Sequence, residues 1–240
     1  MMATGGMFTP TANPRWTQYT AETLRAAVIE AERMGVQIVA HTLSTEGIRN
    51  CVEAGIHHLI HARWHDQDSN AGLRYEPDLV SKMVDQGQWV DPTVGHHLLG
   101  KEAVKLHGAP PREPHWAVSE RKIPEDEHYD CLRSMHDAGV RFTTGLDMGM
   151  IHAPHDMSAA NAWAFVDYLG WQTWDALRAS TADTAEALRV GDKVGRIKPG
   201  MIADLAAFEG DPAKNIRDLN IASTVLQAGR VVKLKGEALV

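Results

Sequence analysis

The sequence is poor in cysteine, in excess positive charge and in long apolar runs, and each shortage excludes something. Two cysteines, Cys51 and Cys131, among 240 residues cannot make a disulfide framework. Both fall inside helical patterns, where a buried free thiol is the simpler reading. Lys and Arg number 24 against 31 Asp and Glu, a net charge of −7. That balance excludes the basic footprint of a nucleic-acid binder or of a protein held on an anionic membrane surface. No stretch approaches the roughly 18 apolar residues of a membrane span, and the N-terminus lacks a basic segment followed by an apolar run. The expectation is a soluble, cytoplasmic chain whose partners are small molecules or protein. What the sequence does have in number is histidine, with 13 residues, and that invites a search for metal ligands.

Glycine punctuates a repeating pattern. From Thr20 to Met34, Leu24, Ala27, Val28 and Ala31 fall on one helical face, with Thr20 as N-cap, Glu22 in the first turn and Gly35 as the stop. The run "VQIVAH" follows as a strand. A second unit has Ser44 as cap, Ile48, Cys51 and Val52 as its stripe, Gly55 as its stop and "IHHLIH" as its strand. A third opens at Pro77, passes Leu79, Val80, Met83 and Val84 to Gly87, and leads into "QWVDPTV". A fourth opens at Pro124, passes Leu132 and Met135 to Gly139, and leads into "VRFTTGLD".

Four helix–strand units in succession imply a parallel sheet with right-handed helical crossovers, either doubly wound or closed as a barrel. The stretch Gly95 to Ile123 has no clear period and fits a functional loop after the third strand. Helical patterns return over Ser158–Leu169 and Trp171–Val190. The tail, with its Pro-Gly, Gly-Asp-Pro and Ala-Gly turns, reads as a small β appendage.

Three residues stand at the ends of these expected strands: His41 after the first, His61 after the second and Asp147 after the fourth. Parallel strands put their C-termini on one side, so the three side chains can converge from distant parts of the chain. Two imidazoles and a carboxylate are a ligand set that zinc and similar divalent ions accept. Taken singly, each has a duller reading, a hydrogen-bonded histidine or an aspartate in a turn. His96 and His97, after "DPTV", are candidates for touching substrate, as is His152 shortly after Asp147. His57 and His58 point to opposite strand faces and are not expected to be ligands. Trp16, Trp64 and Trp116 fit pocket walls or ordinary core.

The stretches "VAH", "TEGIRNCVEAGIHHLIHA", "TTGLDMG" and "LRASTADTAEALRVGDKVGRIKPGMIADLAAFEGDP" resemble the amidohydrolase superfamily, in its imidazolonepropionase-like and dipeptidase-like branch. The long last stretch is the most specific. The resemblance implies an α/β fold, the C-terminal half of a distorted (β/α)8 TIM barrel from the end of strand four to strand eight. It also implies part of a small β-sandwich, with barrel over residues 1–190 and sandwich segment over 191–240. His41 then matches the strand-five histidine ligand, His61 the strand-six histidine ligand and Asp147 the strand-eight aspartate. The implied cofactor is one or two divalent ions, usually zinc. The implied activity is hydrolysis of an amide or other C–N bond in a small, often cyclic or dipeptide-like substrate, with Asp147 as ligand and proton shuttle.

The family's first-strand His-x-His pair has no counterpart here, nor has its fourth-strand lysine, which in this branch lies just before a stretch like the opening "MMATGG". The expectation is an N-terminally truncated chain that begins at the end of strand four. Such a half barrel leaves strand edges to a homo-oligomer or a completing chain. Its rival is a non-catalytic half-barrel remnant that binds metal or a partner chain. A further alternative is a related enzyme acting on a C–O or C–Cl bond. Retention of all three strand-end ligands favours the hydrolase.

Overall fold

The computed structural model describes residues 1–7, 9, 11–107, 123–150 and 152–239. They form two compact units, one of Met1–Pro92 with Val104–Phe142 and one of Thr93–Ala103 with Thr143–Val240.

The first unit is a parallel sheet with helices in the crossovers. Helix α1 (Ala21–Arg33) starts where the Thr20 hydroxyl accepts from Thr23 N, and it buries Leu24, Val28 and Ala31. Strand β1 (Val39–Ser44) leads into α2 (Thr45–Ala54), capped by the Ser44 hydroxyl on Gly47 N and ended by Gly55 at φ 80°. Strand β2 (His58–His65), α3 (Pro77–Asp85) and β3 (Trp89–Asp91) follow. After them come α4 (Gly95–His107), whose residues up to Ala103 belong to the second unit, and then α5 (Glu125–Asp137) and β4 (Arg141–Phe142). The sheet order is β1-β2-β3-β4, every neighbour parallel. This is the α/β class with a parallel sheet and helical crossovers that the glycine-punctuated pattern predicts.

The opening residues extend this sheet. Met2 forms a parallel bridge with His41; His41 N donates to Met1 O at 2.9 Å and Ala3 N donates to His41 O at 3.1 Å. On its other side the segment is tied by Gln18 N to Ala3 O (2.8 Å) and by Gly5 N to Trp16 O (3.1 Å).

Three boundaries differ from the sequence reading. His41 and His61 do not end their strands: β1 runs on to Ser44 and β2 to His65, because pairing resumes between Ser44 and His65 after a register shift that follows the Thr42–His61 pair. Asp147 does not end a strand either; β4 stops at Phe142 and the chain reaches Asp147 without ladder pairing. The segment from Gly95, expected as a loop, is helical to His107, with Gly95, Leu98 and Leu99 buried; its histidines and lysines hid the apolar stripe. Residues 108–122, including Trp116, lie outside the described residues.

In the second unit, α6 (Ala160–Leu169) and α7 (Thr173–Arg178) are followed by a π-helical turn over Ala179–Asp183 and then α8 (Thr184–Ala187). The expected single helix is interrupted there. The hydroxyls of Ser180 and Thr184 donate back to Ala176 O (2.7 Å) and Ala179 O (2.6 Å), the kind of side-chain competition that loosens a helical ladder. Strands β5 (Leu205–Phe208), β6 (Ala222–Gln227), β7 (Arg230–Leu234) and β8 (Glu237–Ala238) then make an antiparallel sheet in sequence order. No described helix is long and apolar enough to cross a membrane.

Candidate active site

Strand alternation alone would keep the two candidate histidines apart. The register places His41 beside Ile60 and Thr42 beside His61, so in regular strands His41 and His61 would face opposite sides of the sheet. The backbone at His61 and Ala62 leaves the pleat instead, with φ 72° and 46°. The two imidazoles then meet edge to face, their ring centres 4.8 Å apart and their planes at 79°. Both side chains are half-buried.

This spacing suits a shared cation. Two imidazoles holding one ion at about 2.0 Å from each nitrogen, at a near-tetrahedral angle, have ring centres about 5 Å apart. Among the described residues no group of three or more His, Cys, Asp or Glu is gathered as a metal-holding cluster; of the expected ligands, His41 and His61 meet within the first unit, and Asp147 belongs to the second.

Buried basic side chains lie along β2 and on α5. Burial pushes the His65 imidazole down to about 3, with Arg63 and Arg15 adding to the effect, and burial lowers His58 to about 4. Burial also holds His128, on α5, well below the ordinary histidine range, helped by Arg63, His65 and His61. The Arg63 guanidinium is itself lowered to about 10 by burial, against the opposing pull of Tyr129 and Glu125. These histidines are therefore neutral near pH 7. Arg15 straps the loop after β2, donating to Asp66 O at 2.6 Å and Gly72 O at 3.4 Å.

Sequence reasoning missed Arg63, His65 and His128. The alternation in "HARWH" after His61 was a signal for the first two; His128 gave none, since it sits in an ordinary helical stripe. Trp64 is core, fully buried with Nε1 donating to Met135 Sδ at 3.3 Å, whereas Trp16 is exposed. Cys51 and Cys131 are buried free thiols, pushed up to about 12 and about 11 by desolvation.

The remaining candidates belong to the other unit. Asp147 is exposed and left-handed at φ 57°, and His152 likewise at φ 66°. The loop between them is closed by Gly149 N on Ala153 O at 2.8 Å. His96 and His97 are half-buried in the first turn of α4. That turn is fixed because Gly95 N donates to Asn161 Oδ1 at 2.6 Å, and a Cβ on Gly95 would lie 2.6 Å from Asn161 N. Thr93, just before it, has φ 50°. Non-glycine residues held left-handed thus recur after β3 and β4 as they do in β2, each a conformation that costs on the order of 1–3 kcal/mol.

The model of the amidohydrolase family matches residues 1–234. The chain is 24% identical over 220 residues to the ochratoxinase of Aspergillus niger, a match covering 90% of this chain and 42% of that protein. Among solved structures it resembles a Xaa-Pro dipeptidase with bound methionine in its active site (TM-score 0.80, 23% identity, 97% of this chain and 53% of that one). It also resembles a prolidase complexed with N-methylphosphonate-L-proline (TM-score 0.78, 27% identity, 97% and 54%). The chain spans about half the length of these relatives.

Proposed function

The chain belongs to the amidohydrolase family, and from that premise we propose that it carries the metal-binding strands of a hydrolase cleaving an amide or other C–N bond in a small substrate. The observation that carries the reading is the His41–His61 pair, whose 4.8 Å ring separation matches two ligands of one divalent ion. The names of the relatives, a dipeptidase, a prolidase and an ochratoxinase, support amide-bond hydrolysis.

In this reading β1 to β4 are strands five to eight of a distorted (β/α)8 barrel, and Met1–Ala3 is the end of strand four. The parallel bridge of Met2 to His41 supports that order. The ligands are His41, His61 and Asp147, and the ion is zinc, one or two per site. Bound there, it supplies Lewis acidity, lowering the pKa of a water and polarising the scissile carbonyl. His41 and His61 offer ring nitrogens. Asp147 takes the proton of the attacking water and returns it to the leaving nitrogen. His96, His97 and His152 contact substrate.

The test is hydrolysis of a panel of dipeptides and N-acyl amino acids by the zinc-loaded protein. The reading expects amine release, falling about 10³-fold on Asp147→Asn, within the range of losing a general acid–base. Turnover that survives Asp147→Asn removes that residue from its role, and a zinc content unchanged by His41→Ala with His61→Ala overturns the metal assignment.

A further inference from the structure

We propose that Thr4, in the opening stretch "MMATGG", is a positioning residue for His41: its hydroxyl fixes the orientation in which the imidazole meets His61. The consequence for metal rests on the reading above; the premise rests on geometry alone.

A histidine ring turns about a broad, nearly two-fold torsion, so its plane is set by what its nitrogens touch. Thr4 Oγ1 lies 3.2 Å from His41 Nδ1 and also accepts from Leu43 N at 3.0 Å. One buried hydroxyl therefore joins the ring to the main chain two residues further along β1. The same segment grips the His41 backbone on both sides through Met1 O and Ala3 N, so backbone and ring are held by neighbouring residues of one extended segment.

The threonine cannot easily turn away. It is completely buried, and β-branching restricts its first torsion. Its methyl fills the space above Gly47, where an added Cβ would stand 2.2 Å from Thr4 Cγ2. Gly47 in turn donates to the Ser44 cap at 3.2 Å. The methyl acts as a wedge and the hydroxyl as the tether. Groups hydrogen-bonded behind a metal-binding histidine typically change metal affinity 10–100-fold when removed.

Two variants separate the parts. Thr4→Val keeps branching and volume and removes the hydroxyl; Thr4→Ser keeps the hydroxyl and removes the wedge. In metal-free, ¹⁵N-labelled protein at fixed pH, with the His41 signals assigned by His41→Gln, Thr4→Val is expected to shift the His41 ring nitrogens and Thr4→Ser to leave them close to wild type. In a cobalt(II) titration, Thr4→Val is expected to raise Kd about 10- to 100-fold. Thr4→Val protein with unmoved His41 ring signals overturns the proposal, even if its urea midpoint falls, because Thr4 is then only structural. Cobalt binding that survives His41→Ala with His61→Ala sinks the metal reading instead, and the ring signals alone then decide the role of Thr4.

Discussion

The imidazoles of His41 and His61 stand edge to face at 4.8 Å, although the strand register pairs His41 with Ile60 rather than with His61. The contact exists because His61 abandons the pleat at φ 72°. A left-handed non-glycine residue costs on the order of 1 kcal/mol or more.

That strain predicts a trade between stability and site. His61→Gly is expected to be more stable than His61→Ala by about 1 kcal/mol, since only glycine adopts this φ without penalty. Urea unfolding of the two variants checks it; equal midpoints contradict the claim that the backbone is strained there.

A steric prediction concerns Thr4 and Gly47. Gly47→Ala drives a methyl against Thr4 Cγ2 and is expected to cost roughly 1–3 kcal/mol, as overpacking does. Thr4→Ser removes the opposing methyl, so Gly47→Ala with Thr4→Ser is expected to recover most of the loss. A double-mutant cycle on denaturation midpoints measures the coupling, and strict additivity contradicts the contact.

Acid sensitivity follows from the buried histidines. His58 and His65 are lowered by burial to about 4 and about 3, whereas in the unfolded chain they titrate near 6.5. For a base lowered in the folded state, the unfolded chain binds the proton first as pH falls. Stability is full above about pH 6.5 and declines below it, each group contributing on the order of 2 kcal/mol by pH 4.5. His65→Gln is expected to flatten the fall in urea midpoint between pH 7 and 4.5. An unchanged slope in that variant removes His65 as a cause.

Much of this was legible in the sequence, for physical reasons that differ by residue. Caps and stops are local chemistry, so Thr20, Ser44 and Gly55 marked their helices directly. The parallel order followed from helix and strand alternating. The turn of α4 at Gly95 was not legible, because its close approach depends on Asn161, 66 residues away. Nor was the contact of His41 with His61, which needs a broken pleat that no local pattern announces; the pattern puts His61 at a strand end, and it lies inside one. Nothing in the stretch "MMATGG" singles out Thr4, and only its distance to His41 Nδ1 gives it a role.

The most direct measurement is a cobalt(II) titration followed by visible absorption, comparing wild type with His41→Ala, His61→Ala and the double variant. The account predicts that each single substitution weakens binding and that the double variant shows none of the ligand-field absorption of the wild type. Identical spectra and affinities in wild type and double variant would contradict it.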